Sequence, residues 1–118
     1  MPVTLDEIRA VALGLPRAHE GEVGGRVKFY YGRIVFAAMA RDETMMGFGF
    51  PKDFREAALE AEPDKFVRPR TADLRYNWLV VRLAAIDHDE MYDLVTEAWS
   101  ICVPRKVVDE WMASRASR

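Results

Sequence analysis

Apolar residues recur at Leu5, Ile8, Val11, Ala12 and Leu15, a helical spacing, and Thr4 stands three residues ahead of Glu7 as in a capping box. The pattern predicts a helix over 5–14, ended by Gly14 in a left-handed cap and by Pro16, which cannot continue the ladder. Residues 17–25 read as a loop, in which Gly21-Glu22-Val23-Gly24-Gly25 is a flexible connector lacking the Lys-Ser/Thr ending of a phosphate loop. From Arg26 the periodicity changes. Val27–Tyr31 and Ile34–Ala40 are β-rich runs around Gly32-Arg33, the layout of a hairpin. A polar turn at Arg41, Asp42 and Glu43 leads to a third strand over 44–50, with Met46, Phe48 and Phe50 on one side and Gly47 and Gly49 on the other.

Pro51 opens a second helix in which Phe54, Ala57, Ala58 and Ala61 share a stripe, and Pro63 ends it. Lys65–Arg68 forms a short strand between two prolines, residues 69–77 are polar, basic and irregular, and Trp78–Leu83 is a further strand. Asp87 and Glu90 repeat the capping arrangement. Met91, Leu94, Val95, Ala98, Trp99 and Cys102 then mark a third helix over 91–102. Pro104 starts a final helix with Val107, Val108 and Trp111 inward. The order α-β-β-β-α-β-β-α-α, with short links between strands, predicts an α+β fold, a single antiparallel sheet with helices packed on it. Its core is expected to join Ile8, Val11, Phe36, Phe48, Leu83, Leu94, Val95 and Trp99.

The chain has 118 residues, 50% of them hydrophobic. That is the size of one domain, here 1–118, since domains hold about 100–200 residues. Its longest apolar run, Ile34–Ala40, falls far short of the ~20 residues of a membrane-spanning helix. The first ten residues contain Asp6, Glu7 and Arg9 without the basic-then-apolar layout of a signal peptide, so a cytoplasmic location without a membrane partner is expected. Cys102, the single cysteine, cannot form an internal disulfide or a Cys-rich zinc site.

The formal charge of −2 conceals an uneven distribution. Residues 63–86 hold five basic and two acidic side chains, whereas 87–101 hold none and five. Lys65, Arg68, Arg70, Arg75 and Arg82 interleave with Phe66, Tyr76 and Trp78, combining charge for phosphates with faces on which a base stacks. Against this, a pI of about 5.7 is far from the basic footprint of a nucleic-acid-binding domain, and a solvated loop paired with the acidic helix accounts for the same pattern. Arg105 and Lys106 occupy a first helical turn, where the dipole favours anions. They either receive a phosphate or carboxylate or are compensated by Glu97, Asp109 or water. Gly47 and Gly49, set among Met45, Met46, Phe48 and Phe50, leave room for a flat ligand or partner peptide, or for a crossing helix.

Candidates for catalysis are few. His19 and His88 are far apart in sequence and neither has a second ligand at metal spacing. His19 and Glu20 are loop neighbours whose side chains point apart, and Cys102 sits on an apolar stripe. No catalytic residue, metal or cofactor is expected.

Several segments, in order, carry a family resemblance: Leu15-Pro16 followed by His19-Glu20, then Tyr31-Gly32-Arg33-Ile34-Val35-Phe36, then Glu62 to Pro69, then Trp78 to Leu83, and finally Glu97-Ala98-Trp99 followed by Val103 to Lys106. Together they resemble the MmcQ/YjbR family of small bacterial domains over residues 5–108, departing from its pattern at 70–76. The resemblance implies a fold similar to secretion chaperones, a DNA-binding label derived from a double-wing shape, and no catalytic residues. Combined with the basic segment, it makes the expected function non-catalytic association with DNA through Lys65, Arg68, Arg70, Arg75, Trp78, Arg82, Arg105 and Lys106. A protein or peptide partner is the alternative, and a small-molecule ligand a remote third.

Overall fold

The computed structural model describes residues 2–116. Among them the elements run α1 (Leu5–Leu13), β1 (Ala18–Val23), β2 (Arg26–Tyr31), β3 (Ile34–Met39), β4 (Met45–Gly49), α2 (Arg55–Ala61), β5 (Phe66–Val67), β6 (Trp78–Arg82), α3 (His88–Ser100) and α4 (Arg105–Ala116). The strands form one antiparallel sheet in the order β1-β2-β3-β4-β6-β5, so the fold is α+β as expected.

α1 starts with the reciprocal capping box: the Glu7 N–H donates to Thr4 Oγ1 at 3.2 Å and the Thr4 N–H to Glu7 Oε1 at 3.3 Å. Its end differs from expectation. Gly14 keeps a helical φ of −79°, and the left-handed residue is Arg17 at φ 60°. Residues 18–23, expected in a loop, form edge strand β1, paired to β2 along its length through a two-residue Gly24-Gly25 turn with both residues at positive φ. With a neighbour on one side only, β1 leaves His19, Glu20, Glu22 and Val23 exposed and shows no hydrophobic alternation. The β2–β3 hairpin turns on Gly32, also at φ 60°, as its sequence requires. α3 begins earlier than its apolar stripe because Asp87 caps it, Oδ1 accepting from the Glu90 N–H at 2.8 Å. In α2 the expected stripe is inward only in part: Ala58 packs half-buried against the core, but Phe54, just ahead of the helix, is exposed, and Arg55 is buried in its place.

Alternation along β2, β4 and β6 sends Phe29, Met46, Phe48, Leu79 and Val81 to the side covered by α1 and α3, where β3 adds Ala37 and Met39. The β2–β3 register skips Phe36, which is also fully buried. Of the expected core, Ile8, Phe36, Phe48, Leu83, Val95 and Trp99 are buried, and Val11 and Leu94 pack half-buried at its margin. Trp99 ties the layers together. Its indole Nε1–H donates to the Pro16 carbonyl at 3.1 Å, anchoring the α1–β1 link, and its ring meets Trp111 of α4 edge-on at 5.3 Å. Trp99→Ala is expected to cost about 3–5 kcal/mol of an unfolding free energy on the order of 5–15 kcal/mol. Denaturant unfolding checks this, and an unchanged midpoint would contradict the packing of α3.

Candidate functional site

The other face of the sheet has a different chemistry. Alternation places Arg26 and Lys28 of β2, Met45 and Gly47 of β4, and Trp78 and Val80 of β6 on it. Two adjoining hollows of about 680 and 660 Å³ open there and share Arg26, Arg70, Asp73 and Trp78. The first extends to Lys28 and Arg33, the second to Arg41 and Arg68. Six basic side chains thus surround the hollows against two carboxylates, Asp42 and Asp73, in a chain of net charge −2. Between the charges the walls carry apolar side chains, Val35 and Ala38 among them in the first hollow and Ala40 and Val80 in the second, with Tyr76 and Asn77 at the first.

Gly47 determines where the Trp78 indole lies. A Cβ at Gly47 would fall 2.6 Å from the ring, so glycine is what lets the indole rest on β4. Gly49 makes room for a helix instead, since its Cβ would lie 3.3 Å from the Ala98 carbonyl oxygen of α3. A neighbouring ring and a crossing helix thus take up the space that the two glycines leave.

Two of the basic side chains are held by backbone. Arg26 donates from Nε to the Met39 carbonyl at 3.1 Å, and Arg41 from Nε to the Gly24 carbonyl at 3.0 Å. Arg33 follows Gly32 in the tight turn. None of Arg26, Lys28, Arg33 and Arg41 forms an ion pair among the described residues, so their charges are available to a ligand. Arg70 reaches Asp73 at 3.4 Å, and Arg68 makes a bidentate pair with Glu56, whose carboxyl it holds below the usual range. The Thr44 hydroxyl and N–H, at 2.7 and 3.0 Å, hold the Asp42 carboxyl down likewise.

The loop from 68 to 77 borders the hollows and is clamped from α2. Arg55, 8% exposed, donates from Nη1 to the Tyr76 and Trp78 carbonyls at 3.2 and 3.1 Å and from Nη2 to the Leu74 carbonyl at 2.7 Å. Its Nε is without a hydrogen-bond partner and it forms no ion pair among the described residues, so carbonyl oxygens supply its hydrogen bonds, while the nearby Glu56 carboxylate adds a longer-range attraction. The Lys52 N–H adds a bond to Asn77 Oδ1 at 3.0 Å, and the Phe50 N–H one to the Asn77 carbonyl at 3.1 Å. This clamp explains why Arg55 takes the inward position that the apolar stripe assigned to Phe54.

Of the residues expected to bind nucleic acid, Arg68, Arg70 and Trp78 line the hollows. Lys65 instead sits between Glu90 at 2.6 Å and Glu62 at 3.0 Å, with its pKa raised chiefly by the Glu90 hydrogen bond. Arg75 lies over the Tyr76 ring at 4.8 Å, Arg82 and Lys106 are exposed, and Arg105 pairs with Asp109 at 3.1 Å; none of these four lines the hollows. Arg26, Lys28, Arg33 and Arg41 are additions from the structure. The signal that announces two of them is the period-two spacing of Arg26 and Lys28 around apolar Val27 and Phe29.

His19, placed by the strand β1 and not by a loop, stacks on Tyr30 with ring centroids 5.1 Å apart, while Glu20 turns to the other face and accepts from Arg9 at 2.7 Å. Cys102 lies half-buried at one end of the first hollow, and burial pushes its thiol pKa up. Among the described residues no group of three or more His, Cys, Asp or Glu is placed to hold a metal ion, and no helix is long and apolar enough to cross a membrane.

Arg55→Leu is expected to destabilise the fold by about 2–4 kcal/mol, because hydrogen bonds to a charged group contribute about 1.5–3 kcal/mol each and part is returned by removing a buried charge. Amide hydrogen exchange resolves where the loss falls. Faster exchange at Tyr76 and Phe50 than in α1 is the expected pattern, and uniform acceleration would contradict the clamp.

Among curated proteins, none matches the chain in sequence. The crystal structure of Deinococcus radiodurans protein DR2400, with domain DUF419, is similar at a TM-score of 0.71 and 17% identity, covering 83% of this chain and 77% of that one; at that identity the likeness shows the fold alone. The profile of the YjbR family matches residues 13–101, a span that takes in all six strands together with α2 and α3. The chain belongs to the YjbR family.

Proposed function

We propose that this protein binds DNA on the open face of its sheet, as a binding domain without catalysis. The observation that carries the reading is the gathering of six basic side chains around the two hollows of an otherwise acidic chain. Phosphate neutralisation supplies much of the affinity of such complexes, and four of these cations have no carboxylate partner among the described residues to give up. Arg26 and Arg41, tethered to backbone carbonyls, lose little freedom on binding. The acidic α3 side repels the same ligand, which orients approach towards the sheet. The DNA-binding label attached to the family resemblance agrees with this reading.

Fluorescence anisotropy with labelled DNA at two salt concentrations tests it. Affinity is expected to fall with salt, and the Lys28→Ala/Arg33→Ala double variant to weaken binding and flatten the log–log salt slope by about two, one per lost phosphate contact. Neither side chain has a hydrogen-bond or ion-pair partner to lose among the described residues, so its thermal melt should match that of the unaltered protein. Arg105→Ala/Lys106→Ala should leave the slope as it was. Binding indifferent to salt, or to the Lys28/Arg33 change, would overturn the proposal and leave a protein or peptide partner as the reading to pursue.

A further inference from the structure

We infer that the DNA taken by this face is unpaired, with a base resting against Trp78 and the phosphates on either side of that base met by two separate groups of cations. The inference rests on the DNA-binding reading and specifies its substrate. Trp78 lines both hollows, half-buried, with its ring seated on the bare backbone of Gly47. Lys28 and Arg33 belong to the hollow on one side of it, Arg41 and Arg68 to the hollow on the other, and Arg26 and Arg70 to both. An aromatic ring with cations to either side matches the repeat of a single strand, in which each base is flanked by two phosphates.

The apolar walls point the same way. Val35, Ala38, Ala40 and Val80 offer no donor or acceptor from their side chains, and so have nothing to exchange with a phosphate or with the polar edge of a paired base. The flat face of an unpaired base is the part of a nucleic acid that gains from such a surface, and in a duplex that face is already stacked. A duplex brings phosphates and groove edges to a protein, and those would meet only the rim, leaving the recessed ring and walls unused.

The test compares three ligands of equal length on the unaltered protein: oligo(dT), an abasic strand with the same phosphates, and a DNA duplex. Oligo(dT) is expected to bind tightest, roughly 5- to 150-fold above the abasic strand, the range for stacking one base on an aromatic side chain. Trp78→Ala should reduce oligo(dT) to the abasic level while leaving the salt slope unchanged, and Trp78→Phe should restore most of the difference. Equal binding of oligo(dT) and the abasic strand, or a duplex bound as tightly as oligo(dT), would overturn this inference while a persisting salt slope left the DNA reading standing. Failure of all three to bind would overturn both. The three-ligand comparison decides the matter even if Trp78→Ala does not fold.

Discussion

Everything in this molecule depends on the register of its central strands. Side chains alternate with a period of two, so a slip of one residue in β2 would bring Arg26 and Lys28 under α1 and α3 and turn Phe29 to solvent. Burying two unpaired cations is prohibitive beside the cost of exposing one ring, which makes the observed register strongly preferred. Two tight turns reinforce it. Gly24-Gly25 sets β1 on β2, and Gly32 sets β2 on β3, each through backbone conformations that side-chain-bearing residues adopt poorly. The same register that builds the core therefore assembles the basic face.

The site also depends on an arginine that never reaches it. Arg55 holds the carbonyls of Leu74, Tyr76 and Trp78, fixing the loop that carries Arg70 and Asp73 and the first residue of β6. Glu56, the next residue of α2, binds Arg68. Two successive side chains of one short helix thus position the 68–78 border of the hollows. A guanidinium suits the first task because its fork of donors satisfies several carbonyls at once, which a lysine ammonium does less well.

Much of the fold was legible because it obeys local rules. The capping box at Thr4, the stripe of α3 and the Gly32 hairpin each rest on residues close together in sequence, and each stands where its spacing predicts. β1 was not legible through hydrophobicity, since an edge strand with exposed polar residues needs no alternation; the Gly24-Gly25 pair was its better signal. Phe54 misled for the opposite reason: its apolar stripe is regular, yet a long-range polar clamp through Arg55 claims the inward position. The site was legible in part. Arg68, Arg70 and Trp78 lie in the basic segment of the sequence, whereas Arg26, Lys28, Arg33 and Arg41 lie in a 26–41 stretch that has no acidic residue but is flanked by acidic ones, so the charge of the first half as a whole conceals them until the hairpins bring them together. Lys65, from the same segment, lies just ahead of β5 and pairs with Glu62 and with Glu90 of α3, partners that net charge by segment does not reveal.

The central claim is that the open sheet face, and not the helical side, is where the molecule meets its ligand. Backbone amide chemical-shift mapping during titration with a short single-stranded DNA measures this directly. The account predicts perturbations concentrated in β2, β4, the start of β6 and residues 68–77, with α1 and α3 unmoved outside the Ile101–Cys102 end of the hollow. Perturbations concentrated on α3 and α4, with Arg26, Lys28 and Trp78 silent, would contradict it.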